Sequence, residues 1–380
     1  MTDDTPPNPA LLPAGLRDLL PPEAETEAAA IGAVLRVFAS HGYQRVKPPL
    51  MEFEDNLLTA TGAAMADQVF RLMDPDTHRM MAIRADMTPQ IARIAATRLG
   101  HAARPLRLSY NGQCLRVHGS QLDPDRQIAQ AGLELIGPDS PQADAEILAV
   151  GAEALAAVGL THLSVDLTMP TLVSTLLEES GITGQQRARL AFALDRKDAA
   201  SVAEHGGALA ETLTDLLLAA GPADRALAAL AAAELTPGAQ LAADRLAATV
   251  AAIRALAPTV KLTVDPVEFR GLKYHTGVCC TVYAIGHNEE LGRGGRYLCG
   301  EAEPATGLTI YPDAVLRAAP PQSPLTRLYI PLGENGAPFR AQGHATVAGL
   351  VADADPRAEA LRLSCSHIVI GGASIALAVE

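Results

Sequence analysis

The sequence predicts an α+β fold, an antiparallel sheet flanked by helices and interrupted by a helical insert. Three observations predict it. Two extended stretches, Leu106 to Val117 and Gln127 to Ile136, are joined by a short polar loop of hairpin length. The remaining candidate strands are separated by helices of unequal length, without the regular alternation that builds a doubly wound parallel sheet. Between Thr171 and Pro258 the chain turns rich in Ala and Leu, with Phe192 as its one aromatic residue, a composition that favours helix over strand. With 380 residues, 48% of them hydrophobic, the chain is long enough to bury one large core and a smaller unit.

Residues 1–10 are acidic and proline-containing and read as a disordered lead without a secretory signal pattern. Residues 22–41 set Ala28, Ile31, Leu35 and Phe38 at helical spacing behind Pro21-Pro22 and an acidic first turn, and stop at His41-Gly42. Tyr43 to Lys47 follows as a short strand ended by Pro48-Pro49, because proline cannot donate a ladder hydrogen bond. Met80 to Arg84 is extended, and Thr88-Pro89 supplies an N-cap and an N1 proline for a helix reaching Leu99. After the hairpin, residues 141–158 form a helix ended by Gly159, and His162 to Leu167 a strand. Beyond the insert, Lys261 to Val264 and Val278 to Tyr283 read as strands, Gly292 to Gly295 as a glycine-rich turn, and Gly307 to Ile310 as a strand leading into Asp313 to Arg317. The domain expectation is a core over 11–320, an insert within it at 171–258, and a short C-terminal extension at 321–380.

Composition excludes several function classes. A formal net charge of −13 opposes a broad nucleic-acid surface, since Lys and Arg supply most of that affinity. No apolar run reaches the roughly 18 residues of a membrane span. Five cysteines, odd in number and without a Cys-x-x-Cys, suit a reducing, cytoplasmic setting. His118 and His275 lack partners at metal-ligand spacing, so neither a metal nor a cofactor is expected.

Chemistry concentrates in four places. Along Gln127 to Gly137, Ile128, Gln130, Gly132, Glu134 and Ile136 share one face, and Gln130 and Glu134 lie roughly 13 Å apart at about 3.3 Å per residue. A small zwitterion with a polar tail fits across Gly132 between that amide and that carboxylate; a strand with one solvated face fits the spacing equally. Arg116 can clamp an anion with its planar fork or simply decorate the hairpin. Asp86 and Thr88 precede a helix, where they can receive an ammonium or cap the helix. Phe269 to Gly277 packs Arg270, Lys273, Tyr274 and His275 between strands, and Gly294-Gly-Arg-Tyr297 lacks the Lys-Ser/Thr and helix of a phosphate loop.

In this order the segments resemble the histidyl-tRNA synthetase family over residues 11–317. Leu12-Pro-Ala-Gly-Leu-Arg-Asp-Leu-Leu-Pro-Pro-Glu23 is similar to that family's opening, and the next helix and strand to its class II motif 1, which builds a dimer interface. Tyr110-x-Gly112-x-x-x-Arg116 resembles motif 2, and Gln130-Ala-Gly-Leu-Glu134 and Arg270-Gly-Leu-x-Tyr274 its histidine-binding segments. The resemblance implies a class II aminoacyl-tRNA synthetase-like sheet. It further implies that Asp86, Thr88 and Gln130 receive an α-amino group, Glu134 and Tyr297 an imidazole, Arg270 a carboxylate, with Tyr274 supporting the ring, while Arg116, which serves ATP in the family, is left to help hold the histidine carboxylate or to support the hairpin. His275 stands where the family usually has a second tyrosine.

Departures fall elsewhere. His118 occupies the acidic slot of motif 2, and Gly307-Leu-Thr-Ile-Tyr-Pro-Asp-Ala314 puts alanine where motif 3 carries its γ-phosphate-binding arginine. The 63 residues after Arg317 are too few for an anticodon domain of order 100 residues. This pattern resembles the family's non-ligase branch, the regulatory subunits of ATP phosphoribosyltransferase. That resemblance implies a non-catalytic protein of histidine biosynthesis. It would form a hetero-oligomer with the short-form catalytic subunit, self-associate as a dimer, bind L-histidine for feedback inhibition, and touch neither nucleic acid nor membrane. A histidine-activating ligase acting on a non-tRNA acceptor remains the alternative.

Overall fold

The computed structural model describes residues 11–58, 60–119, 124–268, 274–300, 302–321 and 326–377. The lead at 1–10 and Arg270 lie outside them. The chain divides into two compact units, Met1–Pro320 and Pro321–Glu380.

Among the described residues, the first unit is built on a nine-stranded sheet. Its order is Gln44–Arg45, Leu106–Leu115, Gln127–Ile136, Glu303–Ile310, Glu290–Cys299, His275–Ala284, Leu163–Thr168, Lys261–Asp265 and Gly221–Pro222. The six central strands pair antiparallel. Parallel pairing enters nearer the two flanks, between Gln44–Arg45 and Leu106–Leu115 and between Leu163–Thr168 and Lys261–Asp265. The second of these is what the helical insert allows, because a parallel pair needs a crossover of a dozen or more residues. This is the α+β architecture expected from the sequence, a large mixed sheet flanked by helices.

The two faces of the sheet do different work. Ala131, Leu133 and Leu135 point back into the main core with the helices Glu23–Ser40 and Pro141–Ala156 and those of the insert. Ile128 and Ile136 point forward with Leu108, Tyr110, Tyr297 and the helix Thr88–Thr97 into a second cluster. The period-two alternation of a strand thus puts Gln130 and Glu134 on the forward side, both buried. Insert residues form the helices Pro170–Glu179, Gly184–Asp195, Ala199–His205, Ala210–Ala219, Ala223–Ala232 and Pro237–Leu256.

Three local expectations need correction. The helix Glu23–Ser40 buries Ala30, Val34 and Phe38, a stripe rotated from the expected one, because so many of its positions are apolar that period alone does not select a face. Thr88 is the first helical residue and not its cap; Asp86 Oδ1 accepts from the Thr88 backbone N–H at 2.8 Å, which frees the Thr88 hydroxyl for other partners. Gly292 to Gly295 is no turn but the middle of the strand Glu290–Cys299. There a Cβ on Gly292 would overlap the Thr309 carbonyl, and one on Gly294 the Gly307 carbonyl, so the glycines permit close strand approach.

One buried ion pair ties the layers together. Arg296, on the backward side of its strand, donates from Nη2 to Asp144 Oδ1 at 2.7 Å and from Nη1 to the Pro138 carbonyl at 3.1 Å. Both side chains are almost fully buried.

In the second unit the expected extension is an α/β sheet of its own. Its strand order is Ala345–Ala348, Arg327–Ile330, His367–Ile370 and Ala373–Ala376, with the first three parallel and the last antiparallel. Tyr329, Ala360, Cys365 and Ile368 fill one side of it, and Leu328, Ile330 and Val369 the other.

Candidate functional site

A pocket with about 350 Å³ of empty space opens on the forward face of the sheet. Among the described residues Asp86, Thr88, Glu134, Tyr274, His275 and Tyr297 line it, six of the nine side chains singled out from the sequence. Gln130 and Arg116 do not line it, and Arg270 lies outside the described residues.

Glu134 is the centre of the site. Its Oε1 accepts from Thr88 Oγ1 at 3.2 Å and from the Tyr110 hydroxyl at 3.3 Å, while Oε2 accepts from the Tyr297 hydroxyl at 3.0 Å. The Tyr110 oxygen also lies 2.9 Å from Thr309 Oγ1. Burial drives the carboxyl up to about 8, and the hydroxyl donors offset only part of that. Burial likewise holds the phenols of Tyr110 and Tyr297 well above their ordinary value. Two glycines make the arrangement possible. A Cβ on Gly307 would overlap the Glu134 carboxylate, and one on Gly132 the Tyr110 ring.

Gln130 acts one layer back. Its Oε1 accepts from the Met87 backbone N–H at 3.0 Å and its Nε2 donates to Asp86 Oδ2 at 2.9 Å. The amide therefore fixes the turn into the helix and aims Asp86 at the pocket. Asp86 is held by two donors and can still accept, since a carboxylate offers about four lone-pair positions.

The opposite wall is aromatic. Tyr274 stands 4.6 Å from the His275 ring and meets Tyr297 edge-on at 6.1 Å. His275 pairs with Tyr297 across the strands, its Nδ1 is buried without a partner among the described residues, and burial, then Arg293, lowers its ring to about 4. It is therefore a neutral imidazole at physiological pH, able to accept or donate one hydrogen bond.

The strand ends at Leu115, just before Arg116, whose backbone N–H donates to the Arg126 carbonyl at 2.7 Å and whose Nε is buried without a partner among the described residues. Ala314 is buried in the short helix Pro312–Ala318. Beside it Asp313 Oδ2 accepts from the Ala129 N–H at 3.2 Å, and Oδ1 from Arg17 at 3.4 Å.

Sequence reasoning missed Arg293, Thr309 and Tyr311 in the lining. The signal was present: Gly132, Thr309 and Arg293 occupy one row across three strands, and the alternation that brings Gly132 to the pocket brings the others.

The sequence model of the histidyl-tRNA synthetase family matches residues 15–315. An ATP phosphoribosyltransferase regulatory subunit of Paramagnetospirillum magneticum is 54% identical over 363 residues, covering 95% of this chain and 96% of the relative. One of Gluconobacter oxydans is 54% identical over 97% of each chain. Among solved structures, an ATP phosphoribosyltransferase regulatory subunit/histidyl-tRNA synthetase of Bacillus halodurans superposes with TM-score 0.80 at 25% identity, over 94% of this chain and 97% of that one. Histidyl-tRNA synthetase of Nostoc sp. PCC 7120 superposes at 0.78 with 20% identity, over 96% and 91%, a likeness of fold alone. The chain belongs to the histidyl-tRNA synthetase family, in its branch of ATP phosphoribosyltransferase regulatory subunits.

Proposed function

We propose that this chain is a non-catalytic, histidine-sensing subunit. It acts with a short-form catalytic ATP phosphoribosyltransferase in the first step of histidine biosynthesis and mediates feedback inhibition by L-histidine. The observation that carries this reading is the contrast between an assembled amino-acid pocket around Glu134 and a nucleotide corner occupied by Asp313 and Ala314. Carboxylate, hydroxyls and a neutral ring suit an imidazole with one N–H donor and one acceptor nitrogen. Asp86 suits an α-ammonium, Arg270 a carboxylate, and Tyr274 an apolar contact with the ring.

An arginine that clamps a γ-phosphate supplies several kcal/mol of transition-state stabilisation. Alanine supplies none, and Asp313 repels the phosphate. Feedback then requires that histidine bind one state of the assembly more tightly than another, with the populations shifting by that difference.

The test is calorimetry and exchange on the same preparation. The purified chain binds L-histidine, shows no histidine-dependent exchange of pyrophosphate into ATP, and co-purifies with a short catalytic subunit that is inactive alone. Glu134→Ala and Arg270→Ala both abolish the binding heat. A catalytic subunit fully active alone that never associates with this chain would refute the reading; exchange activity would favour the ligase.

A further inference from the structure

We infer that Arg293 is a specificity-determining residue of the pocket, a second cation that shares with Arg270 the carboxylate of a zwitterionic amino acid. The inference rests on the histidine-binding reading and deepens it. Among the described lining residues the formal charges are unequal in kind and place. Asp86 and Glu134 are acids, His275 is a neutral ring, and Arg293 is the strong base. Asp86 and Glu134 stand at one end, on the helix start and the Gln127–Ile136 strand, while Arg293 rises two strands away, in the row Gly132, Thr309, Arg293. At about 4.8 Å per strand that row spans roughly 10 Å, so a long side chain on Arg293 can meet a ligand seated between it and Glu134, over Thr309. A pocket with acid at one end and guanidinium at the other matches an ammonium and a carboxylate on one small molecule.

The guanidinium is available for that exchange. Its partner is Glu290, at 2.5 Å and three residues away, with 42% of the arginine side chain and 36% of the glutamate side chain exposed. An ion pair so open to water contributes little and is surrendered readily. A carboxylate inside the pocket offers the fork two parallel hydrogen bonds in a drier setting, where each is stronger. Its position is also inward: Arg293 lines the pocket with His275 and Tyr311, and adds to the burial that lowers the His275 ring.

The experiment compares L-histidine with L-histidinol, which replaces the carboxylate by an alcohol, on the full-length chain by calorimetry. The parent binds histidine more tightly than histidinol. Arg293→Ala weakens histidine about 10- to 100-fold and leaves histidinol unchanged, so the preference collapses; Arg293→Lys falls between, keeping charge without the fork. Glu290→Gln frees the guanidinium and holds or tightens histidine binding, whereas a merely structural ion pair would make it copy Arg293→Ala. Histidine binding by Arg293→Ala equal to the parent overturns this inference alone. Absence of histidine binding in the parent overturns the histidine-binding reading and this inference with it.

Discussion

The Glu134 cluster and the Asp313 corner each hold a carboxylate against the Gln127–Ile136 strand, and they solve its solvation differently. Glu134 is buried, which holds its proton up to about 8 even though neutral hydroxyl donors offset part of that. Asp313 is partly exposed, accepts a backbone N–H and sits against Arg17, whose exposed guanidinium also reaches Glu23 and Asp125. Glu27 joins that corner, its carboxyl raised by burial and then by Asp313. The difference teaches that the first region keeps a buried carboxyl among neutral donors beside an open pocket, whereas in the second Arg17 is already paired with three acids of the same corner.

The largest way to break this contrast is Gly307→Ala. The added methyl has no room beside the Glu134 carboxylate, so histidine binding by calorimetry is lost and the unfolding midpoint falls, with overpacking costing about 1–3 kcal/mol. Next comes Asp144→Ala behind the sheet. Arg296 then keeps the Pro138 and Ser140 carbonyls and the more exposed Asp139, 3.3 Å from Nη1, and urea denaturation shows a loss of about 3 kcal/mol.

The third test uses pH. A carboxyl raised from 4.5 to about 8 in the folded state binds its proton more tightly there than in the unfolded chain. Its contribution is fully present below 4.5 and is lost as pH rises to about 8. The stability difference between the parent and Glu134→Gln, measured in urea, therefore shifts against the parent by up to about 1.4 kcal/mol per pH unit across that window. His275, lowered to about 4, has the opposite sign: its contribution is present above 6.5 and fades as pH falls toward 4, which His275→Gln removes. The smallest effect belongs to Arg17→Ala. Its pairs are exposed, so stability changes by less than about 1 kcal/mol and histidine binding stays at the parental value. A change in binding there would show the two regions to be coupled.

Much of the site was legible because strands advertise their faces. Alternation put Gln130, Gly132 and Glu134 on one side before any coordinates, and the turn at Asp86 marked a helix start. Alternation does not say which polar residue meets solvent, ligand or another side chain, and so it could not separate the lining Glu134 from Gln130, which holds Asp86 in place. Glycine misled in a specific way. At Gly292 to Gly295 the residue type signals either a turn or close strand contact, and only the neighbouring carbonyls decide. Arg293 was hidden by the same segment, since a residue assigned to a turn has no face. The second unit was opaque because its strands are four residues each, too short for periodicity to register.

The hydroxyls around Glu134 also have a kinetic meaning. Thr88, Tyr110, Tyr297 and Thr309 hold one another and the carboxyl in place through their own hydrogen bonds. Preorganisation of this kind removes an entropic cost from association, and variants that loosen the ring of hydroxyls then differ in how long a ligand stays more than in how fast it arrives. On the histidine-binding function proposed above, the response to a falling concentration lags by the time the ligand takes to leave.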